Sequence, residues 1–143
     1  MIGPVLLDNS AWARLGSPAL TVERLDAVAE AVQASRVATC LPFLLEAGYS
    51  ARSGTDHDAI ADELHALPHF PVDEEVERRA IDAQRQLART GHHRLSPVDL
   101  LVAALADRHG VGVLHYDHDY DLIVSKTDLN FQSVWLAPAG ALA

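Results

Sequence analysis

The sequence predicts an α/β domain built on a parallel sheet. Short apolar runs alternate along the chain with segments of helical periodicity, which is the pattern of strand–helix–strand units. The chain has 143 residues, and 49% of them are hydrophobic, which suffices for one core of common size. Because no repeat, low-complexity tract or linker divides the sequence, we expect a single domain over residues 1–143.

The first half of the chain alternates two predicted strands with four predicted helices. Residues 4–7 and 37–40 are short apolar runs typical of buried strands. Residues 20–34 carry apolar side chains at helical spacing, with acids on the other face. Glycine and proline mark the bounds of three further helices: Gly16 ends 9–15, Pro42 opens 42–49, and Pro68 follows 56–66.

The second half repeats this alternation. Residues 73–90 form a predicted helix that closes at a glycine, and Ser96-Pro97 opens another that continues through 100–108. Three apolar runs predict strands, and the second of them leads directly into Asp117; they cover 69–72, 111–116 and 131–136.

Charge is unevenly distributed along the sequence. Twenty acids and eleven bases give a net charge of −9, which argues against a protein that coats nucleic acid through a large basic face. Residues 55–77 carry eight acids and no Lys or Arg, most simply a solvated helix face. Five arginines follow in 78–94. They form either Arg–Glu pairs on an exposed helix or a stripe that meets phosphates, with Arg78, Arg85, Arg89 and Arg94 as its candidates.

Two features indicate the setting of the protein. Cys40 is the only cysteine, which excludes an internal disulfide, and its strand context favours a buried apolar role over a nucleophilic one. No apolar run reaches the length of a transmembrane helix, and the N terminus lacks the basic region of a signal peptide. We therefore expect a cytoplasmic protein with no membrane partner.

Five acids occupy positions where charge is not expected. Asp8 follows the first strand, Asp117 and Asp119 follow the fourth, and Glu46 and Asp99 lie in apolar helical segments. The carboxyl ends of parallel strands meet at one edge of a sheet, and we expect Glu46 and Asp99 to lie in the first turns of helices that reach the same rim. We therefore expect these carboxylates to line one depression.

Each acid has a simpler explanation when it is taken alone. Asp99 completes a capping-box pattern, and Asp8 can cap the helix that follows it. Asp117 and Asp119 can belong to an acidic turn. Glu46 is harder to explain, because both of its flanks look buried and an unpaired Glu is rarely buried.

A metal site explains the acids together. Two carboxylates about 5 Å apart repel by roughly 3 kcal/mol at an effective dielectric near 20. Four of them without compensation would destabilise a marginal fold. Carboxylate oxygens suit Mg²⁺ or Mn²⁺ rather than zinc, and such an ion can activate water and stabilise charge on a phosphoryl oxygen.

The segments that carry these acids resemble the acidic motifs of PIN-domain ribonucleases, most closely the VapC toxins of bacterial toxin–antitoxin pairs. The motifs occur in the family's order and span nearly the whole chain: LLDNSA at 6–11, LLEAG at 44–48, SPVDLLVAALA at 96–106 and LHYDHDYD at 114–121. Each motif alone is weak evidence for the family, whereas all four in order are specific for it.

The resemblance implies a three-layer α/β/α fold around a parallel, mostly five-stranded sheet. It implies Mg²⁺-dependent endonucleolytic cleavage of tRNA or rRNA, with Mn²⁺ as a substitute, leaving 5′-phosphate and 3′-hydroxyl ends. In this interpretation the metal ligands are Asp8, Asp99, Asp117 and Asp119. Glu46 is a further catalytic carboxylate. Ser10 would orient a carboxylate or a water.

The resemblance also implies partners. Family members form homodimers, and a cognate VapB-type antitoxin silences them until released, with a basic C-terminal tail that can enter the acidic site. In that setting the four arginines named above become candidates for RNA binding.

The histidines and tryptophans have structural explanations. We expect His92, His93, His115 and His118 to be surface or satisfied core histidines rather than metal ligands. Trp12 and Trp135 are expected to anchor the core rather than stack on bases.

Two alternative functions stay open: a noncatalytic module whose acids receive a basic tail, and a metal-dependent phosphatase with Asp8 as nucleophile. The phosphatase is disfavoured because residue 10 is serine, not aspartate.

Overall fold

The computed structural model describes residues 1–142, which form a five-stranded sheet with seven helices. The strands are β1 (Val5–Leu7), β2 (Val37–Cys40), β3 (His69–Phe70), β4 (Gly112–His115) and β5 (Ser133–Trp135). The helices are α1 (Asn9–Trp12), α2 (Val22–Gln33), α3 (Leu41–Tyr49), α4 (Gly54–His65), α5 (Glu74–Arg89), α6 (Pro97–His109) and α7 (His118–Lys126). The predicted α/β class is confirmed.

All neighbouring strands pair in parallel, in the order β3-β2-β1-β4-β5. Central β1 places Val5 opposite Val37 of β2 on one side and opposite Gly112 of β4 on the other. The chain therefore builds the sheet outward from β1 in one direction and returns to its other side with β4. This reversal lies between β1 and β4, which is where open α/β sheets form ligand sites.

The core lies along the inner strands and α6. Every residue of β1, β2 and β4 is buried, as expected of parallel strands covered on both faces. Helix α6 buries seven of its residues and packs against α3, α5 and α7. Among residues 1–142, no helix is both long enough and apolar enough to cross a membrane.

Local signals in the sequence set the helix bounds. The side chains of Thr21, Ser53 and Asp73 accept hydrogen bonds from the first turns of α2, α4 and α5. Helix α6 ends at Gly110, whose φ of 67° is in the left-handed region. A side chain at Gly112 would meet the Gln132 carbonyl oxygen at 2.8 Å, so only glycine lets β4 approach that segment.

Three details of local structure differ from expectation. The segment after Asp117, for which an acidic turn was one explanation and no helix was predicted, forms helix α7, which Asp117 caps and which buries its own Tyr120 and Ile123. The first helix ends at Trp12 and continues only as turns to residue 16. Ser96 precedes α6 without a side-chain cap bond, so the capping-box explanation of Asp99 fails.

Candidate metal centre

The candidate site lies at the carboxyl ends of β1 and β4. Asp8 follows β1 directly, and Asp117 comes two residues after β4. The register pairs Leu7 with Leu114, and the Asp8 N–H donates to the Leu114 carbonyl at 3.0 Å. The two acids therefore leave adjacent strands at the same edge of the sheet.

Three of the predicted metal ligands come together at this edge. Asp99, Asp117 and Asp119 each offer a carboxylate oxygen, and these oxygens all lie within 4.8 Å of one another. Asp99 is buried and comes from the first turn of α6, whereas Asp117 and Asp119 come from the start of α7 and are partly exposed. The Asp119 N–H donates to Asp117 Oδ1 at 2.9 Å, which orients that carboxylate.

Asp8, the fourth predicted ligand, lies outside this group of three and is held by other side chains. Its Oδ2 accepts the Ser10 N–H at 3.0 Å and the Ser10 hydroxyl at 2.5 Å. Its Oδ1 accepts the Tyr120 hydroxyl at 2.6 Å. Asp8 thus caps α1, as the alternative explanation expected, while the Ser10 hydroxyl orients a carboxylate, as the resemblance implied.

Tyr120 links Asp8 to the group of three and was missed in the sequence. Its hydroxyl, completely buried, lies 3.4 Å from Asp99 Oδ1 as well as 2.6 Å from Asp8 Oδ1. Burial, with the charges of both acids, raises the pKa of Tyr120 well above its usual range. The phenol therefore stays protonated and can donate to only one carboxylate at a time.

Burial and neighbouring charges shift Asp99 and Asp119 toward their protonated forms. The pKa of Asp99 is raised from 3.8 to about 8, first by burial and then by the charges of Asp8, Asp117, Asp119 and Glu46. The pKa of Asp119 is raised by burial and by Asp117. A compact group of acids that resist joint ionisation is a functional-site signal.

Glu46 faces this site from α3. Burial and the charges of Asp8 and Asp117 raise the pKa of Glu46, and its Oε2 is buried without a hydrogen-bond partner. Two expectations for it were wrong. Leu45 beside it is 65% exposed rather than buried, and Glu46 lies in the second turn of α3, not the first.

A hydrogen-bonded chain behind β4 holds the loop that carries Asp117. The Asp117 N–H donates to His115 Nδ1 at 3.1 Å, so Nε2 carries the proton toward Ser133 Oγ, 2.6 Å away. Ser133 in turn donates to Asp121 at 2.6 Å, which also accepts the Trp135 indole N–H. Burial lowers the pKa of His115 to about 4, which keeps the ring neutral.

The donor set fits a hard divalent cation. Clustered carboxylate oxygens, without a cysteine or histidine among them, suit Mg²⁺ or Mn²⁺. A cation there would offset the repulsion that raises the pKa of Asp99. Asp99, Asp117 and Asp119 are the residues that would hold it.

The predicted arginine stripe is exposed on α5 and on the segment that follows this helix. Arg78 pairs with Glu75, and Arg85 pairs with Asp82 at 2.6 Å, so these two match the alternative of Arg–acid pairs on an exposed helix. Arg89 and Arg94 are exposed and make no ion pair among residues 1–142.

The cysteine, two of the histidines and Trp12 are not among the residues that would hold a cation. Burial raises the pKa of the Cys40 thiol to about 12, which confirms an apolar rather than nucleophilic role. His115 is a satisfied core histidine, and His93 lies on the surface. Trp12 packs edge-on against buried Phe43, with ring centroids 6.1 Å apart.

Comparison with known proteins places this chain in a family. Residues 5–125 match the PIN domain family. The chain is 38% identical over 139 residues to Ribonuclease VapC18 of Mycobacterium tuberculosis, covering 95% of this chain and 97% of that protein. It is 39% identical over 137 residues to Ribonuclease VapC51 of the same organism, covering 96% of each.

A solved structure shares the fold. The DNA-bound VapBC complex from Salmonella typhimurium contains a chain that superposes with a TM-score of 0.73 at 16% identity, covering 96% of this chain and all of that one. Sequence, fold and acidic motifs therefore agree, and the chain belongs to the PIN-domain family and, within it, to the VapC ribonucleases of VapBC toxin–antitoxin systems.

Proposed function

We propose that this chain is a Mg²⁺-dependent endoribonuclease and the toxin of a VapBC pair. The observation that carries the proposal is the group of Asp99, Asp117 and Asp119, whose oxygens lie within 4.8 Å of one another at the sheet edge. A divalent cation bound there would supply charge stabilisation at the phosphoryl group and a more acidic water. Residues 1–143 act as one PIN domain in this proposal.

Glu46 is the residue proposed to accept the proton of the attacking water. Its Oε2 is buried without a hydrogen-bond partner, so it has a free acceptor position beside the acids. Burial and the neighbouring charges raise its pKa, which makes it a better base than an ordinary glutamate once it is ionised.

Asp8 is proposed to hold negative charge next to the three clustered acids. Two donors from Ser10 and one from Tyr120 fix both of its oxygens, so its charge is held in place beside Asp99. In this role Asp8 adds negative charge that favours cation binding, and its remaining lone pairs are available as further ligands.

The substrate and partners are proposed from the family. We infer that the substrate is tRNA or rRNA, that cleavage inhibits translation and growth in the cytoplasm, and that Mn²⁺ can replace Mg²⁺. A VapB-type antitoxin with a basic C-terminal tail would bind the acidic site, since a solved relative of this fold is a VapBC complex. A homodimer and an RNA track through Arg89 and Arg94 belong to the same proposal.

The test is cleavage of total RNA by the purified protein with Mg²⁺, Mn²⁺ or a chelator. We expect cleavage with either ion, none with the chelator, and 5′-phosphate ends at the cut sites. Glu46→Gln should keep the fold and lose cleavage. RNA that stays intact with both ions would refute the proposed activity and favour a noncatalytic module.

A further inference from the structure

Arg14 lies at the edge of the acidic site, and two contacts fix its position. Its guanidinium donates to the Ser10 carbonyl at 2.9 Å, and its central carbon lies 5.0 Å from the centroid of the Tyr116 ring. Ser10 also binds Asp8, and Tyr116 immediately precedes Asp117. The Tyr116 N–H donates to the Ser10 hydroxyl at 2.9 Å, so both anchors of the guanidinium belong to one connected unit.

The fold leaves Arg14 without an acidic partner in the described part of the chain. Among residues 1–142 no carboxylate lies within ion-pair distance of it, although the site next to it is rich in acids. Its Nε is buried without an acceptor. By contrast, Arg24 binds the carbonyls of residues 135 and 136, and Arg79 bridges Glu75 and Asp107. The Ser10 carbonyl takes one of the five N–H donors of this half-buried guanidinium, so its solvent-facing donors are available to an external acceptor.

The acceptor that fits is a phosphate. The site acids do not serve as this acceptor, because none of them lies within ion-pair distance of the guanidinium. The Ser10 bond and the contact with Tyr116 hold the guanidinium in place, and its fork of N–H donors matches the paired oxygens of a phosphodiester better than a point charge does. One positive charge at this rim would also offset the repulsion between the acids and an RNA backbone.

We propose that Arg14 binds an RNA backbone phosphate beside the acidic cluster. This assignment rests on the proposed function. It gives the RNA a contact next to the acids that is separate from the arginines of α5. The contact reads the backbone, so it should not depend on base sequence.

The test measures the binding of a fluorescent single-stranded RNA of mixed sequence by anisotropy in Mg²⁺, in a Glu46→Gln background that prevents cleavage. Arg14→Ala is compared with Lys126→Ala, which removes one positive charge at the opposite end of α7 from Asp119. We expect Arg14→Ala to raise Kd about tenfold. It should lower the slope of log affinity against log salt by about 0.7. Lys126→Ala should change neither, and Arg14→Lys should restore the slope without the full affinity.

Equal effects of Arg14→Ala and Lys126→Ala, or an unchanged salt slope, would overturn the assignment. Arg14→Gln keeps an N–H donor for the Ser10 carbonyl, so it provides the same comparison if the alanine variant does not fold. RNA binding through Arg14 without cleavage by the wild-type protein would refute the proposed function alone. Cleavage by the wild type together with an unchanged slope in Arg14→Gln would refute only the role of Arg14.

Discussion

Replacing Asp99 with asparagine should stabilise the metal-free protein while abolishing RNA cleavage. An ordinary aspartate loses its proton near pH 3.8, but folded Asp99 keeps its proton to about pH 8. Between these values the folded state holds a proton that the unfolded chain has released, so the wild-type protein loses stability as pH rises. Asparagine carries no such charge, and its amide oxygen can still accept from Tyr120.

The pKa shift sets the size of the effect. At 1.36 kcal/mol per pH unit, the free energy of unfolding of the variant should exceed that of the wild type by about 2 kcal/mol at pH 5 and by about 4 kcal/mol at pH 7. For a chain of this size, 1 kcal/mol corresponds to about 3 °C in melting temperature. The variant should therefore melt about 5 °C above the wild type at pH 5 and about 12 °C above it at pH 7.

The assay is thermal unfolding in a chelator at a series of pH values. Asp62→Asn is the matched control, because it makes the same side-chain change at an exposed position of α4. We expect the control to change the free energy of unfolding by less than about 0.5 kcal/mol. A variant that melts below the wild type, or an advantage that does not grow with pH, would refute the reasoning from the raised pKa of Asp99.

Three further predictions concern the network around the acids. Tyr120→Phe removes the donor to Asp8 Oδ1 and should cost about 1–3 kcal/mol in urea unfolding with a chelator, so an unchanged midpoint would contradict this role. Ser133→Ala leaves the buried Nε2–H of His115 without an acceptor and should lower the melting temperature by a similar free energy, whereas Ser133→Thr should not. Glu46→Gln should slow RNA cleavage in Mg²⁺ by about 10²–10⁴-fold with little change in melting temperature, and a rate within threefold of the wild type would exclude a role as base.

Features that are local in sequence could be predicted from it. The apolar runs at β1, β2 and β4 identify buried strands, since parallel strands covered on both faces need apolar side chains throughout. Asp8 and Asp117 follow two of these strands, and the carboxyl ends of parallel strands meet at one edge of a sheet. The acidic cluster could therefore be anticipated from the sequence, whereas the strand order that makes β1 and β4 neighbours is seen only in the structure.

Contacts between distant segments could not be predicted in this way. The Tyr120 hydroxyl reaches Asp8 from 112 residues away, and nothing in the local pattern indicates that its ring is buried. The position of Arg14 depends on Ser10 and Tyr116 meeting across two strands. A sequence signal did exist for α7, because Asp117 precedes two further acids in the first turn and a lysine stands in the last.

The central claim is that the acids at the ends of β1 and β4 form a divalent-metal site that cleaves RNA. Isothermal titration of Mg²⁺ or Mn²⁺ into the chelator-treated protein, with RNA cleavage followed in parallel, tests this claim most directly. The account predicts that the wild-type protein binds the ion and cleaves RNA, while Asp99→Asn, although folded, loses both. Ion binding and cleavage that are undiminished in Asp99→Asn would contradict it.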